Sequence, residues 1–189
     1  MAVTYHQTTG ALGRFAFHWA TFLVAASAIG SLVFACATPF AAVAAVAAMT
    51  LPLRAAIVAS TGVWLANQAV GFGLLAYPVE FTSLAWGVAL GAAALAATLA
   101  AWAASVRLGD QAGPARWVAA FAAALLAHQG VLFATGLVLG SGEGFTAPVV
   151  GGIAALNAVW AVGLALVFRA LAVVLGRQAA GASLTVCGT

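Results

Sequence analysis

The chain contains no lysine, three acidic residues and two cysteines in 189 positions. Each scarcity excludes something. With 5% charged residues against 66% hydrophobic ones, and a mean hydropathy of +1.16, the sequence has no polar surface for a soluble fold. The cysteines make no framework: Cys36 ends one apolar run and Cys187 lies in the C-terminal tail, so a bridge between them has to cross a bilayer. No aspartate or glutamate falls inside an apolar run, which removes the usual carboxylate relay of a proton-driven pump. There is no Gly-x-Ser-x-Gly elbow, His-Glu-x-x-His helix or glycine-rich phosphate loop, and Ser27, Ser31 and Ser60 have no evident catalytic partner. The chain therefore reads as a non-enzyme with no catalytic residue. A net charge of +3 does not indicate nucleic acid, because the basic residues are dispersed rather than clustered. A cleaved signal peptide is not expected either. The first apolar run is too long for an h-region, and Ala35-Cys36-Ala37-Thr38-Pro39 only loosely imitates a cleavage site.

What is present is a set of six arginines, Arg14, Arg54, Arg107, Arg116, Arg169 and Arg177, separated by long apolar runs. A charge at the bilayer centre costs roughly 2.5–3.5 kcal/mol, so these residues mark helix ends. The runs give an all-α integral membrane protein, a bundle of six transmembrane helices in one membrane domain over 1–189. The spans fall at about 15–35, 40–53, 55–76, 82–106, 115–139 and 148–175. The second is short for a span, and Pro52 and Arg54 stop it, so a kink or a distorted segment is expected there. This arrangement places every arginine on one side. By the positive-inside rule that side, with both termini, is the cytoplasm, and the protein sits in a bacterial inner membrane. Leu108 to Pro114 forms a polar loop, while Glu80 and Glu143 fall outside. Abundant alanine and glycine allow close helix packing.

The arginines also serve as depth markers. Asn67 lies 13 residues from Arg54, His128 lies 12 from Arg116, and Asn157 lies 12 from Arg169. At about 1.5 Å per residue, each sits roughly 18–20 Å from its anchor, slightly beyond the midplane. Gln68 and Gln129 add two amides at the same level. The stretch Leu65–Phe72 echoes Leu126–Phe133, identical at five of eight positions, with a polar pair at the same place in each. Polar groups at this depth must face the interior or a cavity. A packing role fits Asn157, which stands alone. The adjacent pairs Asn67-Gln68 and His128-Gln129 point about 100° apart and suit a cavity lining better. His128 fits a neutral bonded imidazole, a proton relay or a metal or cobalt ligand. No carboxylate, thiolate or second histidine lies at its depth, so neither a metal site nor a cofactor is expected. His18 lies near the cytoplasmic interface and His6 before the first span, so a haem between two histidines is disfavoured. Trp19, Trp102 and Trp117 at one end and Trp86 and Tyr77 at the other have belt positions. Trp64 and Trp160 lie deeper, within three residues of Asn67 and Asn157. With the amides they would make a wall for a small aromatic or amphipathic ligand.

Size, six spans, cytoplasmic termini and the lack of energy-coupling chemistry resemble the substrate-binding membrane subunit of an energy-coupling factor vitamin or metal transporter. The first span also carries small residues at four-residue spacing, in Ala16-x-x-x-Ala20, Thr21-x-x-x-Ala25 and Ala26-x-x-x-Gly30. The resemblance implies that this span contacts an ATP-driven coupling module. It further implies that a vitamin-like or cobalt-containing solute enters from the outer face, toward Asn67, Gln68, His128 and Gln129, with Tyr77, Glu80 and Glu143 above them. The alternative is an accessory or assembly subunit of a larger membrane complex, with no ligand of its own. Either way the partners expected are lipids and membrane proteins, not nucleic acid.

Overall fold

A computed structural model describes the backbone of residues 2–34, 38–109, 113–140 and 145–186, and the side chains of 13–32, 38–109, 113–140 and 145–174. Cys36, Cys187, Asp110, Glu143 and the side chains of His6 and Arg177 lie outside the described residues. Six α-helices occupy nearly all of the rest: α1 Ala2–Phe34, α2 Phe40–Thr50, α3 Leu53–Gln68, α4 Phe81–Leu108, α5 Gly113–Val138 and α6 Ala147–Val186. A π-helical turn, Ala69–Leu74, continues α3. The protein is a helical, multi-pass membrane bundle. Five helical segments are long and apolar enough to cross a bilayer, and α2 is shorter.

Three boundaries differ from the sequence reading, each for a physical reason. The first and last helices extend beyond their apolar runs, α1 beginning at Ala2 and α6 continuing to Val186, because lengthening a helix that is already formed gains one hydrogen bond for each residue fixed. The second segment neither kinks at Pro52 nor reaches residue 53. Its 11 residues end at Thr50, and Pro52 instead caps α3, its fixed φ of −56° suiting a helix start. At about 1.5 Å per residue, α2 is only ~16 Å long and cannot span. Finally, the third helix gives way to the π turn at Ala69, in the stretch that holds Gly71 and Gly73.

The composition of α2, Phe-Ala-Ala-Val-Ala-Ala-Val-Ala-Ala-Met-Thr, is apolar on every face and rich in the best helix former. A helix too short to cross leaves its ends at membrane depth, where surrounding protein must satisfy them. Residues Phe40 to Ala48 are all buried, and α2 touches each of the other five helices. Its small side chains let α4 and α5 approach through Ala97, Ala101, Ala120 and Ala124. On its other side, Val43 and Val46 pack with Trp19, Leu23, Val63 and Leu164.

A helix buried at both ends needs partners for its terminal N–H and C=O groups. At its start a neighbouring helix supplies one. Asn157 of α6 accepts the Ala42 N–H at 3.0 Å through Oδ1, while its Nδ2 donates to the Ile153 carbonyl. At the other end Thr50 donates to the Val46 carbonyl at 2.6 Å and accepts the Trp19 indole N–H at 2.9 Å.

Side-chain pairings fix the directions of the remaining helices. Ser60 bonds Thr98 and Trp64 reaches Gly87, so α3 and α4 are antiparallel. Gly30 lies under Trp160 and Trp19 beside Phe168, so α6 runs against α1. Val24 meets Gly62 and Ser31 meets Asn67, so α1 and α3 are parallel. These registers bring Arg14, Arg54, Arg107, Arg116 and Arg169 to one end of the bundle, as their spacing implied.

Replacing Asn157 by alanine leaves the Ala42 N–H without its acceptor in a dry interior. Thermal unfolding in detergent is expected to show a loss of about 1–2 kcal/mol, the range for a lost helix cap. A smaller loss than that of a surface Asn-free control such as Val159→Ala would refute the capping role.

Candidate functional site

The three polar residues at matching depth do converge, and the place is the first turn of α2. Asn157 bonds the Ala42 amide, Asn67 donates to the Thr38 hydroxyl just before the helix, and His128 stacks on Phe40. They do not bond to one another. Three helices have each put their hydrogen-bonding side chain where a buried helix begins.

From Asn67 a short network runs outward. Its Nδ2 donates to Thr38 Oγ1 at 2.8 Å and Ser31 Oγ at 3.1 Å, and these two hydroxyls are themselves 3.1 Å apart. Its Oδ1 accepts from Gln68 Nε2 at 3.3 Å. Ser31 and Ser60, unassigned in the sequence, are thus packing hydroxyls: Ser31 bonds Thr38, and Ser60 bonds Thr98 at 2.7 Å.

The network forms one side of a cavity of about 380 Å³ at the end of the bundle away from the arginines. Asn67, Gln68 and Thr38 supply polar groups, and Ser83 and Trp86 of α4 face them across the opening. Phe40, Phe72 and Tyr77 complete an aromatic lining. The π turn shapes this wall. Tyr77 donates its backbone N–H to the Gly71 carbonyl, its ring lies over Gly71, and its edge meets Phe72. A side chain at Gly71 would meet that ring at 3.0 Å. Ala76 between them holds a left-handed φ of +53°, a costly conformation for alanine that the turn imposes.

The opposite wall depends on a pair of glycines four residues apart, Gly87 and Gly91 of α4. Trp64 lays its ring on Gly91, where a Cβ would come within 2.7 Å, and donates its N–H to the Gly87 carbonyl at 2.8 Å. The Gln68 amide oxygen rests against Gly87 in the same way. This Gly-x-x-x-Gly spacing is visible in the sequence, but only the facing Trp64 and Gln68 distinguish it from the many other small-residue pairs of this chain.

Of the expected site residues, Asn67, Gln68 and Tyr77 line the cavity and Trp64 buttresses it. Asn157 lies on α2's other flank. Trp160 covers Gly30 of α1 within the bundle. Glu80 is exposed at the start of α4, its backbone carbonyl accepting from Leu84. His128 and Gln129 belong to α5, behind Phe40 rather than at the opening. The His128 ring is stacked on Phe40 at 5.9 Å between centroids, and neither ring nitrogen reaches a protein partner. The Gln129 amide nitrogen is likewise buried without one. Phe40 therefore separates the open cavity from a second, unsatisfied polar pair. Among the described residues no three His, Cys, Asp or Glu side chains converge on a point.

Comparison with known proteins supplies no further guide: no family model, no curated protein and no solved structure matches this chain.

Two substitutions separate packing from latent function. Gly91→Ala drives a methyl group into the Trp64 ring and should cost about 1–3 kcal/mol in thermal unfolding. His128→Leu removes two buried, unpartnered nitrogens and should raise stability by about 1 kcal/mol. If His128→Leu instead destabilises, the imidazole has a partner in the folded protein.

Proposed function

We propose that this chain is the solute-binding subunit of a membrane transporter, and that the cavity between α3 and α4 holds the solute. The observation that carries the reading is the composition of that cavity. Two amides and two aliphatic hydroxyls stand beside four aromatic rings, one of them a phenol, with no charged side chain among its lining. Such a set complements a neutral, flat molecule that has hydrogen-bonding edges and stacking faces, as many vitamin-like heterocycles do. The volume lies at the small end of the usual range for ligand sites. A free cobalt or other metal ion is a poorer match, since amide and hydroxyl oxygens without carboxylate, imidazole or thiolate hold transition metals weakly.

In this reading the arginine end, with both terminal segments, is in the cytoplasm of a bacterial cell and the cavity opens on the outer face. The resemblance to substrate-binding subunits of energy-coupling factor transporters fits the size and helical content, although α2 is not itself a span. The partner, an ATP-driven module, would meet α1. Of that helix's small-residue pairs, Ala16 and Ala20 pack toward the core and Gly30 lies beneath Trp160, while Thr21 and Ala25 face outward with Phe17 and Ile29. The outward stripe is the one available to a partner. An accessory subunit without a ligand is the competing reading, favoured by the fact that Asn67 already has protein partners on both sides of its amide.

The discriminating experiment is a thermal-shift and tryptophan-fluorescence screen of the purified protein against neutral heterocycles such as pyridoxine, nicotinamide and riboflavin. A hit is expected to lose at least tenfold in affinity with Trp86→Ala or Asn67→Ala. Glu80→Gln should leave it unchanged. If no compound shifts the wild-type protein, and native mass spectrometry of protein from its host shows no retained small molecule, the accessory reading replaces this one.

A further inference from the structure

A second recess lies at the opposite end of the bundle and opens sideways rather than along the axis. Helices α5 and α6 barely touch, because α2 sits behind and between them. The result is an apolar groove of about 380 Å³ on the flank of the protein. Its floor is Ala45 and Val46 of α2, its α5 wall Trp117 and Phe121, and its α6 wall runs from Ala158 through Ala161 and Ala165. One polar group closes it, the guanidinium-bearing Arg169 at the arginine end.

Three features define the occupant. The first is length. From Ala158 to Arg169 is eleven residues, or about 16 Å of helix, close to the ~15 Å half-thickness of a bilayer's hydrocarbon core. The second is the gradient along it, apolar throughout and cationic only where the headgroups of that leaflet lie. The third is charge complementarity. Among the described residues none of the groove's side chains is acidic, and Arg14 and Arg116 share the level of Arg169. A cation at this position attracts an anionic headgroup by about 1 kcal/mol.

We propose that the groove is a binding site for one anionic phospholipid of the arginine-side leaflet, an acyl chain lying between α5 and α6 and its phosphate against Arg169. Trp117 stands at the same level, where an indole's amphipathic ring suits the headgroup boundary. The lipid completes the packing that α5 and α6 do not make with each other. It is independent of the solute cavity, which lies at the far end of α3 and α4.

The test uses the full chain, purified in mild detergent, mixed with equal amounts of phosphatidylglycerol and phosphatidylcholine, and examined by native mass spectrometry. One phosphatidylglycerol per chain is expected, held about fivefold more than phosphatidylcholine, the factor that ~1 kcal/mol represents. Arg169→Gln should bring the two lipids to parity, and Arg169→Lys should keep most of the preference. Ala161→Leu, which fills the groove, should lower retention of both lipids. Circular dichroism and the thermal midpoint check that each variant is folded. If Ala161→Leu fails that check, the Arg169→Gln and Arg169→Lys pair decides alone. The proposal is overturned if the wild type keeps no lipid, if Arg169→Gln keeps the wild-type preference, or if the groove is covered by a second copy in a dimer that survives delipidation.

Discussion

An apolar helix of eleven residues is too short to cross a bilayer, so α2 is held among the other helices, and there its ends become the difficulty. The unpaired N–H and C=O groups of α2 cannot turn to water, and leaving one bare costs about 1–3 kcal/mol. At the start a neighbouring helix meets this need, Asn157 on α6 accepting the Ala42 N–H; at the finish Leu51 of the chain itself donates to the Ala47 carbonyl, and Trp19 on α1 bonds the Thr50 hydroxyl. Because these contacts require α1 and α6 to hold a set height against α2, they fix vertical register across the bundle. Residues that look like a polar layer are the consequence.

The same logic links packing to the cavity. Where α2 begins, the chain has just left α1, and no helix fills the space above Phe40 on that side. Asn67 ties down the incoming strand of chain through Thr38, and the π turn after Gln68 carries Phe72 and Tyr77 over the gap. The notch at Gly87 and Gly91 then brings α4 close enough to close the far wall. The cavity is therefore the space left by a short helix. The groove at the other end has the same origin, since α2 holds α5 and α6 apart. One eleven-residue element accounts for both openings.

Much of this was legible in the sequence, and the parts that were not share a cause. Arginine spacing placed five described cations at one end and set Asn67, His128 and Asn157 at a common depth. About three alanine-rich turns stopped before Pro52 announced a segment too short to span. The uses of the polar residues were not legible. Asn157 bonds a backbone amide, Asn67 two hydroxyls, and His128 only the face of a phenyl ring, although all three occupy similar positions along their helices. Glu80 and Trp160 shared the right neighbourhood in sequence, and yet neither lines the cavity: Glu80 is exposed and Trp160 packs over Gly30. Trp86 and Phe72 had no polar signal to single them out, and Ser83 was one hydroxyl among several.

The sequence by itself determined that the chain is a helical membrane bundle, which end carries its charge and how deep each polar group lies. Those properties depend on hydrophobicity summed along a helix and on a rise of about 1.5 Å per residue, both of which are local and linear. The tertiary structure decided which helix is central, which amide meets which partner and where the openings fall. These depend on rotation about each helix axis and on the choice of neighbours. In a chain so rich in alanine, nearly every face is apolar and small, so periodicity leaves rotation unmarked, and only the packing of all six helices together sets it.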